Sequence, residues 1–132
     1  MASPFTESTL EAVTETEFLD EMEYAVPWGR LAVLVAPLMP VAPGGTPDVA
    51  EAETLMRLFM LQRWLSLPAA PLLREVQRVP RYRTFALGLG TQARLPEPAA
   101  LTRFTDVVWG HARTRKVIET IDRVVEEDRF VN

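Results

Sequence analysis

Cysteine is absent from this 132-residue sequence. That excludes a disulfide framework, a cysteine-ligated zinc site and a thiol nucleophile. Histidine occurs once, at His111, so no His-Glu-x-x-His zinc signature exists. Neither a Gly-x-Ser-x-Gly elbow nor a phosphate-binding glycine loop occurs. The Gly-Leu-Gly at 88–90 is too short for a nucleotide fingerprint and follows no strand-like stretch. The stretch 48–67, twenty residues long, is too short and too charged to span a membrane. The N-terminus is acidic and lacks the basic and apolar regions of a secretory leader, so a cytoplasmic location is expected. Carboxylate pairs such as Asp20/Glu21 and Glu126/Glu127 fall on outward positions, where nothing lifts a pKa toward a catalytic range. A lone histidine at a helix junction reads as a cap or surface group. On this inventory no catalytic residue, metal site or cofactor is assigned, and the chain is expected not to be an enzyme.

Lysine is also scarce. Thirteen of the fourteen bases are arginine, the side chain that grips a phosphate with two parallel hydrogen bonds. The net charge is −4, unevenly placed. Residues 1–56 hold ten acids against Arg30 alone, whereas residues 57–125 hold twelve bases against five acids. This asymmetry raises the odds of an anionic partner for the second part. The plainer reading is that the two parts neutralise each other across one surface.

What the chain has in plenty is helical periodicity. The stretch Asp48–Leu67 is the organising element: Asp48 suits an N-cap, with Glu51 three residues on as a capping box requires. Leu55, Met56, Leu58, Phe59, Met60, Leu61, Trp64 and Leu65 then cover almost every direction, interrupted only by Arg57, Gln62 and Arg63. A helix apolar nearly all round is a buried one. Residues 1–14 read as a loosely ordered acidic arm, and residues 15–128 as a single helical domain.

Within that domain, Thr14 or Thr16 would cap a helix to about Val26, with Phe18, Leu19, Met22, Ala25 and Val26 inward. Pro27 ends it. A helix from Trp28 to about Ala36 would turn Leu31, Leu34 and Val35 inward. Val41 to Pro47 is a Pro/Gly loop. After the central helix, Ser66 would cap and Pro68 would start a helix burying Leu72, Leu73, Val76 and Val79. Arg74 and Arg78 would share its outer face. Pro80 stops it, and Arg81, Tyr82 and Arg83 follow in a short turn or helical piece up to Gly88. A loop runs from Gly88 to Pro98. A helix from about Ala99 to Trp109 would bury Leu101, Phe104, Val107 and Val108, and Gly110 breaks it. The last helix, about Thr114 to Glu127, shows Val117, Ile118, Ile121, Val124 and Val125 on one stripe, with Arg115, Glu119, Arg123 and Glu127 alternating in charge on the wet side. The expected fold is all-α: a compact bundle of five to seven helices around the buried helix at about 48–67. Trp28, Trp64 and Trp109 lie on apolar stripes and read as core rather than as stacking platforms.

Several segments together resemble the N-terminal domain of bacterial insertion-sequence transposases of the insertion-sequence-five group. A Phe-Leu…Met-Glu…Val-Pro-Trp pattern is present as Phe18, Leu19, Met22, Glu23, Val26, Pro27 and Trp28. A Leu…Pro…Pro run follows as Leu34, Pro37 and Pro40, then Leu-Gln-x-Trp-x-x-Leu as Leu61, Gln62, Trp64 and Leu67. An Arg-x-Phe-x-x-Leu turn is matched by Arg83, Phe85 and Leu87 or Leu89, and a Leu-Pro-acid helix start by Leu95, Pro96 and Glu97, with Phe104 as its inward aromatic. The resemblance covers about residues 18–127. It implies an all-helical domain with a helix-turn-helix-like part that engages transposon-end DNA. In the family a separate RNase H-like domain follows with an Asp/Asp/Glu metal site. This sequence stops before it, so no transposase activity is implied. Three departures stand out: the family's basic Gly-Arg-Arg-Pro segment is Gly44, Gly45, Thr46, Pro47 and Asp48; its Thr-Thr is Ala99 and Ala100; its Arg after the inward Phe is Thr105.

Two readings follow. In the first, the chain is a non-catalytic, transposase-derived DNA-binding module, a regulator or competitor at a DNA site. Arg74, Arg78, Arg81, Arg83, Arg103, Arg113, Arg115 and Lys116 would grip the backbone. In the second, DNA binding has been lost, and the chain self-associates or pairs with another protein through Val117, Ile118, Ile121, Val124 and Val125 or through the apolar central helix.

Overall fold

The computed structural model describes residues 11–41, 43–88 and 94–131. Among them there are seven α-helices and no strand: α1 (Glu11–Ala25), α2 (Trp28–Val35), α3 (Val49–Leu65), α4 (Ala69–Arg78), α5 (Pro80–Leu87), α6 (Pro98–Gly110) and α7 (Ala112–Val131). A single 3₁₀ turn, Ala36–Leu38, extends α2. α3 is the hub and packs against α2, α4, α5 and α6, while α7 closes over α6, α2 and α1.

α3 is the buried helix that its composition calls for. Its start is set by Asp48, whose side chain accepts a hydrogen bond from the Glu51 backbone N–H at 3.1 Å. From Leu55 to Leu61 every residue is buried, and Trp64 adds the next turn. At the other end Ser66 adopts the left-handed conformation, φ 57° and ψ 46°. The Ser66 N–H donates to the Arg63 carbonyl, and the Leu67 N–H donates to that of Gln62. These are the two reverse bonds of a Schellman cap. Ser66 therefore terminates α3 and does not cap α4, contrary to the sequence-based expectation; Pro68 precedes α4 directly. A serine one residue after a helix and two before a proline can serve either end, and satisfying the carbonyls of α3 prevails.

Other helix boundaries shift for similar local reasons. α1 already runs from Glu11, so neither Thr14 nor Thr16 caps it. Glu11-Ala12-Val13 contains no helix breaker, and a threonine's preference for caps is weak beside helix continuation. Most of the expected N-terminal arm, residues 1–10, lies outside the described residues, as do residues 89–93 of the loop after Gly88. α7 begins at Ala112, two residues before Thr114.

Burial follows the expected stripes at most positions. Ala25 is exposed at the end of α1. α2 buries Trp28, Leu31, Ala32 and Val35, which turns Leu34 outward at 43% exposure. The i, i+3, i+4, i+7 face was available without Leu34, and the bulk of Trp28 decides which face goes in. Val107 is half-buried, and Trp109 is 50% exposed.

Candidate nucleic-acid interface

The motifs that carry the family resemblance converge on one structural knot. The Met22 carbonyl accepts from the Val26 N–H and, at 3.0 Å, from the Trp28 indole N–H. That double use of one oxygen folds the Val-Pro-Trp segment back on α1. Trp28 meets Phe85 edge-on at 5.5 Å between ring centroids, Phe85 meets Trp64 at 5.9 Å, and Trp64 meets Phe18 edge-on at 4.9 Å. The Leu-Gln-x-Trp-x-x-Leu segment is the Schellman cap itself, with Gln62 as acceptor and Leu67 as donor. These residues hold α1, α2, α3 and α5 together.

Arg57, in sequence only an interruption of the apolar helix, sits at the centre of the knot. Its guanidinium is 4.9 Å from the Trp28 ring centroid and 5.1 Å from that of Phe85. Nη1 and Nη2 donate to the two Glu23 oxygens at 2.7 and 2.8 Å. Nε donates to Glu53 at 3.0 Å, and Nη1 also donates to the Phe85 carbonyl at 2.9 Å. The Arg57 fork hydrogen-bonds and attracts the Glu23 carboxylate, holding its pKa below the usual 4.5 against the opposing effect of burial. The signal was readable in outline. A helix with no wet face has no place for a guanidinium unless carboxylates come to it, and Glu53 stands one turn before Arg57.

The eight bases expected to face DNA divide into two sets. Arg78 on α4 is paired with Glu75, whose carboxyl is lowered mainly by that hydrogen bond. Arg81 on α5 donates to Glu15 at 3.3 Å and lies over the Tyr82 ring, and the Tyr82 hydroxyl donates to the same carboxylate. Burial, with the Glu15 bond second, pushes the Tyr82 phenol up to about 12. Arg115 on α7 donates to the Trp109 carbonyl at 2.8 Å, closing the C-terminus of α6. In these three, intramolecular contacts occupy part of each guanidinium. Arg74 on α4, Arg103 on α6 and Arg113 and Lys116 on α7 are exposed and make no ion pair with a described residue. Arg83 is half-buried on α5 and likewise makes none.

Neutralisation between the two parts of the chain is thus partial. Glu15, Glu23 and Glu53 of the first part answer Arg81 and Arg57 of the second. Asp122 on α7 answers Arg63, at 3.1 Å.

The apolar stripe of α7, expected as a docking face, is turned into the chain's own core. Val117, Ile118 and Ile121 are buried, and Val124 and Val125 pack against the same cluster half-buried. The hydrophobic surface of α3 is equally enclosed. His111 is exposed at the corner between α6 and α7. Among the described residues no three His, Cys, Asp or Glu side chains are grouped so as to hold a metal ion, and no helix is long and apolar enough to cross a membrane.

The α6–α7 corner itself is tightly built. The Thr114 hydroxyl, fully buried, lies within 2.7 to 3.1 Å of the Val107, Val108 and His111 carbonyl oxygens. This hydroxyl and Arg115 meet the last carbonyls of α6, which have no partner within their helix. The turn therefore presents Trp109, His111, Arg113 and Lys116 from a rigid base.

A family model described as "Transposase domain (DUF772)" matches residues 7–106, which include α1 to α5 and most of α6. No solved structure matches the chain.

Proposed function

The chain belongs to this transposase domain family, and from that premise we propose that it is a non-catalytic DNA-binding module acting as a regulator or competitor at a DNA site. The spacing of its Val-Pro-Trp and Leu-Gln-x-Trp segments favours the insertion-sequence-five group within the family. One observation carries the reading: Arg74, Arg103, Arg113 and Lys116 stand exposed on α4, α6 and α7 without a carboxylate partner among the described residues. A cation left in water by its own fold is available to a phosphate, and releasing the DNA's counterions drives such binding. Arg83 and the remaining donors of Arg78, Arg81 and Arg115 supplement these four. The Gly44–Asp48 segment contributes no base, so contact there is not part of the reading. No observation favours docking of a partner on the α7 stripe, which is covered.

The test is fluorescence anisotropy with a labelled 30-base-pair duplex at two salt concentrations. Four phosphate contacts give a slope of about −3.6 in log affinity against log salt, hence a roughly 100-fold loss between 50 and 200 mM. Replacing Arg74 and Arg113 by alanine should flatten the slope by about one per residue. Binding that ignores salt, or no binding at micromolar protein, would dispose of the reading.

A further inference from the structure

We propose that Trp109 is a stacking platform for an unpaired DNA base, held out at the α6–α7 corner beside the cations that open α7. The inference rests on the DNA-binding reading above and adds to it the form of DNA preferred at this corner.

Three observations support it. First, Trp109 differs from the other two tryptophans. Trp28 and Trp64 are 3% and 4% exposed and lie inside the aromatic knot, whereas Trp109 is 50% exposed. The Trp28 indole N–H donates to Met22, and that of Trp109 donates to no described residue. At 3.6 residues per turn Trp109 lies about 100° around α6 from buried Val108, at the edge of the core face. Second, the ring is held rather than loose. It meets Phe59 of α3 at 6.0 Å with the planes 62° apart. Its own carbonyl is bound by Arg115, and Thr114 secures the turn that follows. An aromatic surface ordered in advance loses little entropy on binding. Third, the adjoining start of α7 is cationic. Arg113, Arg115 and Lys116 follow the ring within seven residues, and the Arg115 guanidinium is bound to its carbonyl. The exposed acids of the same stretch are Asp106 and Glu119. A polyanion is the partner whose charge complements this corner, and a base is the part of it with a flat apolar face. Intact duplex offers no such face along its length, since its bases are stacked on one another. Unpaired segments and frayed ends do.

The experiment compares a blunt 30-base-pair duplex with the same duplex carrying a five-nucleotide single-stranded overhang, using the full chain. The wild type should bind the overhang probe more tightly. Trp109→Ala should remove that preference, a loss of about 5- to 100-fold on the overhang probe, and leave blunt-duplex affinity unchanged. Trp109→Phe should retain most of the preference. It also guards against loss of the Phe59 contact, because its thermal midpoint reports the fold separately. Acrylamide quenching gives an independent readout: the accessible emission is that of Trp109 and should become protected by the overhang probe only. Equal affinity of the wild type for both probes, or an unchanged preference in Trp109→Ala, overturns the inference while leaving duplex binding intact. Absence of binding to either probe overturns both proposals. A Trp109-dependent dimer in sedimentation, without protection by DNA, assigns the ring to self-association and overturns the inference too.

Discussion

A guanidinium buried between two aromatic rings is the most consequential single residue of this chain. Arg57 is 8% exposed, and removing it leaves a void between Trp28 and Phe85 and frees the carboxylates of Glu23 and Glu53. Breaking a buried ion pair by deleting one partner costs about 3–5 kcal/mol. Glu23 is half-exposed and can rehydrate, so the lower end applies. Arg57→Ala should lower the unfolding free energy by about 3 kcal/mol in urea denaturation, with little change in the denaturant slope. Arg57→Lys should recover only part of it, since an ammonium cannot present a planar fork to Glu23 while stacking on the rings. The residue scale also shows where a pattern misleads. Arg57 was legible as lying on a helix without a wet face, but its main partner was not, because Glu23 comes from 34 residues away. Trp109 was legible as apolar but not as exposed, because nothing in α6 says where the neighbouring helices stop.

Among the elements, α3 shows how a helix end is chosen. Its left-handed C-terminal residue is a serine rather than the usual glycine. A side chain in that conformation costs about 1 kcal/mol by contact of Cβ with the carbonyl oxygen. Ser66 is exposed, and the cap is made by backbone groups. Ser66→Gly should therefore raise stability by about 0.5–1 kcal/mol, seen as a higher urea midpoint. An unchanged or lower midpoint would mean that the serine side chain is part of the cap. The α6–α7 corner works differently, since a buried threonine hydroxyl and an arginine meet the last carbonyls of α6. Helix existence and type were legible for six of the seven helices, because hydrophobic periodicity is local; α5, eight residues long, was legible only as a short turn or helical piece. Helix ends were less so, since Ser66, Thr14 and Thr16 each suit more than one position.

Over the whole molecule the uneven charge becomes a device for holding α1 in place. Two of its carboxylates reach arginines of the second part, Glu15 to Arg81 and Glu23 to Arg57. The folded-state pKa of Glu23 is depressed. Such a group contributes its stability above the unfolded value near 4.5 and loses it as pH falls through the lower folded value. Urea midpoints should accordingly be flat above pH 5 and decline below 4.5. Glu23→Gln should begin from a lower plateau and decline less. A decline as steep as the wild type's would shift the acid sensitivity onto other carboxylates. Arg74, Arg103, Arg113 and Lys116, which no described carboxylate claims, face outward on α4, α6 and α7, and the DNA reading rests on these.

By itself the sequence determined an all-helical chain with a dry central helix, and a kinship carried by motifs of tryptophan, glutamate and glutamine. These follow from periodicity and spacing, which act over a few residues. Tertiary structure alone decided which charges are free. It bound Arg57, Arg78, Arg81 and Arg115 internally, left Arg74, Arg103, Arg113 and Lys116 to solvent, enclosed the α7 stripe and uncovered Trp109. Pairs such as Glu75–Arg78 are local, but burial and the pairing of Arg57 with Glu23 and Arg81 with Glu15 depend on what arrives from distant parts of the chain, and no local pattern records that.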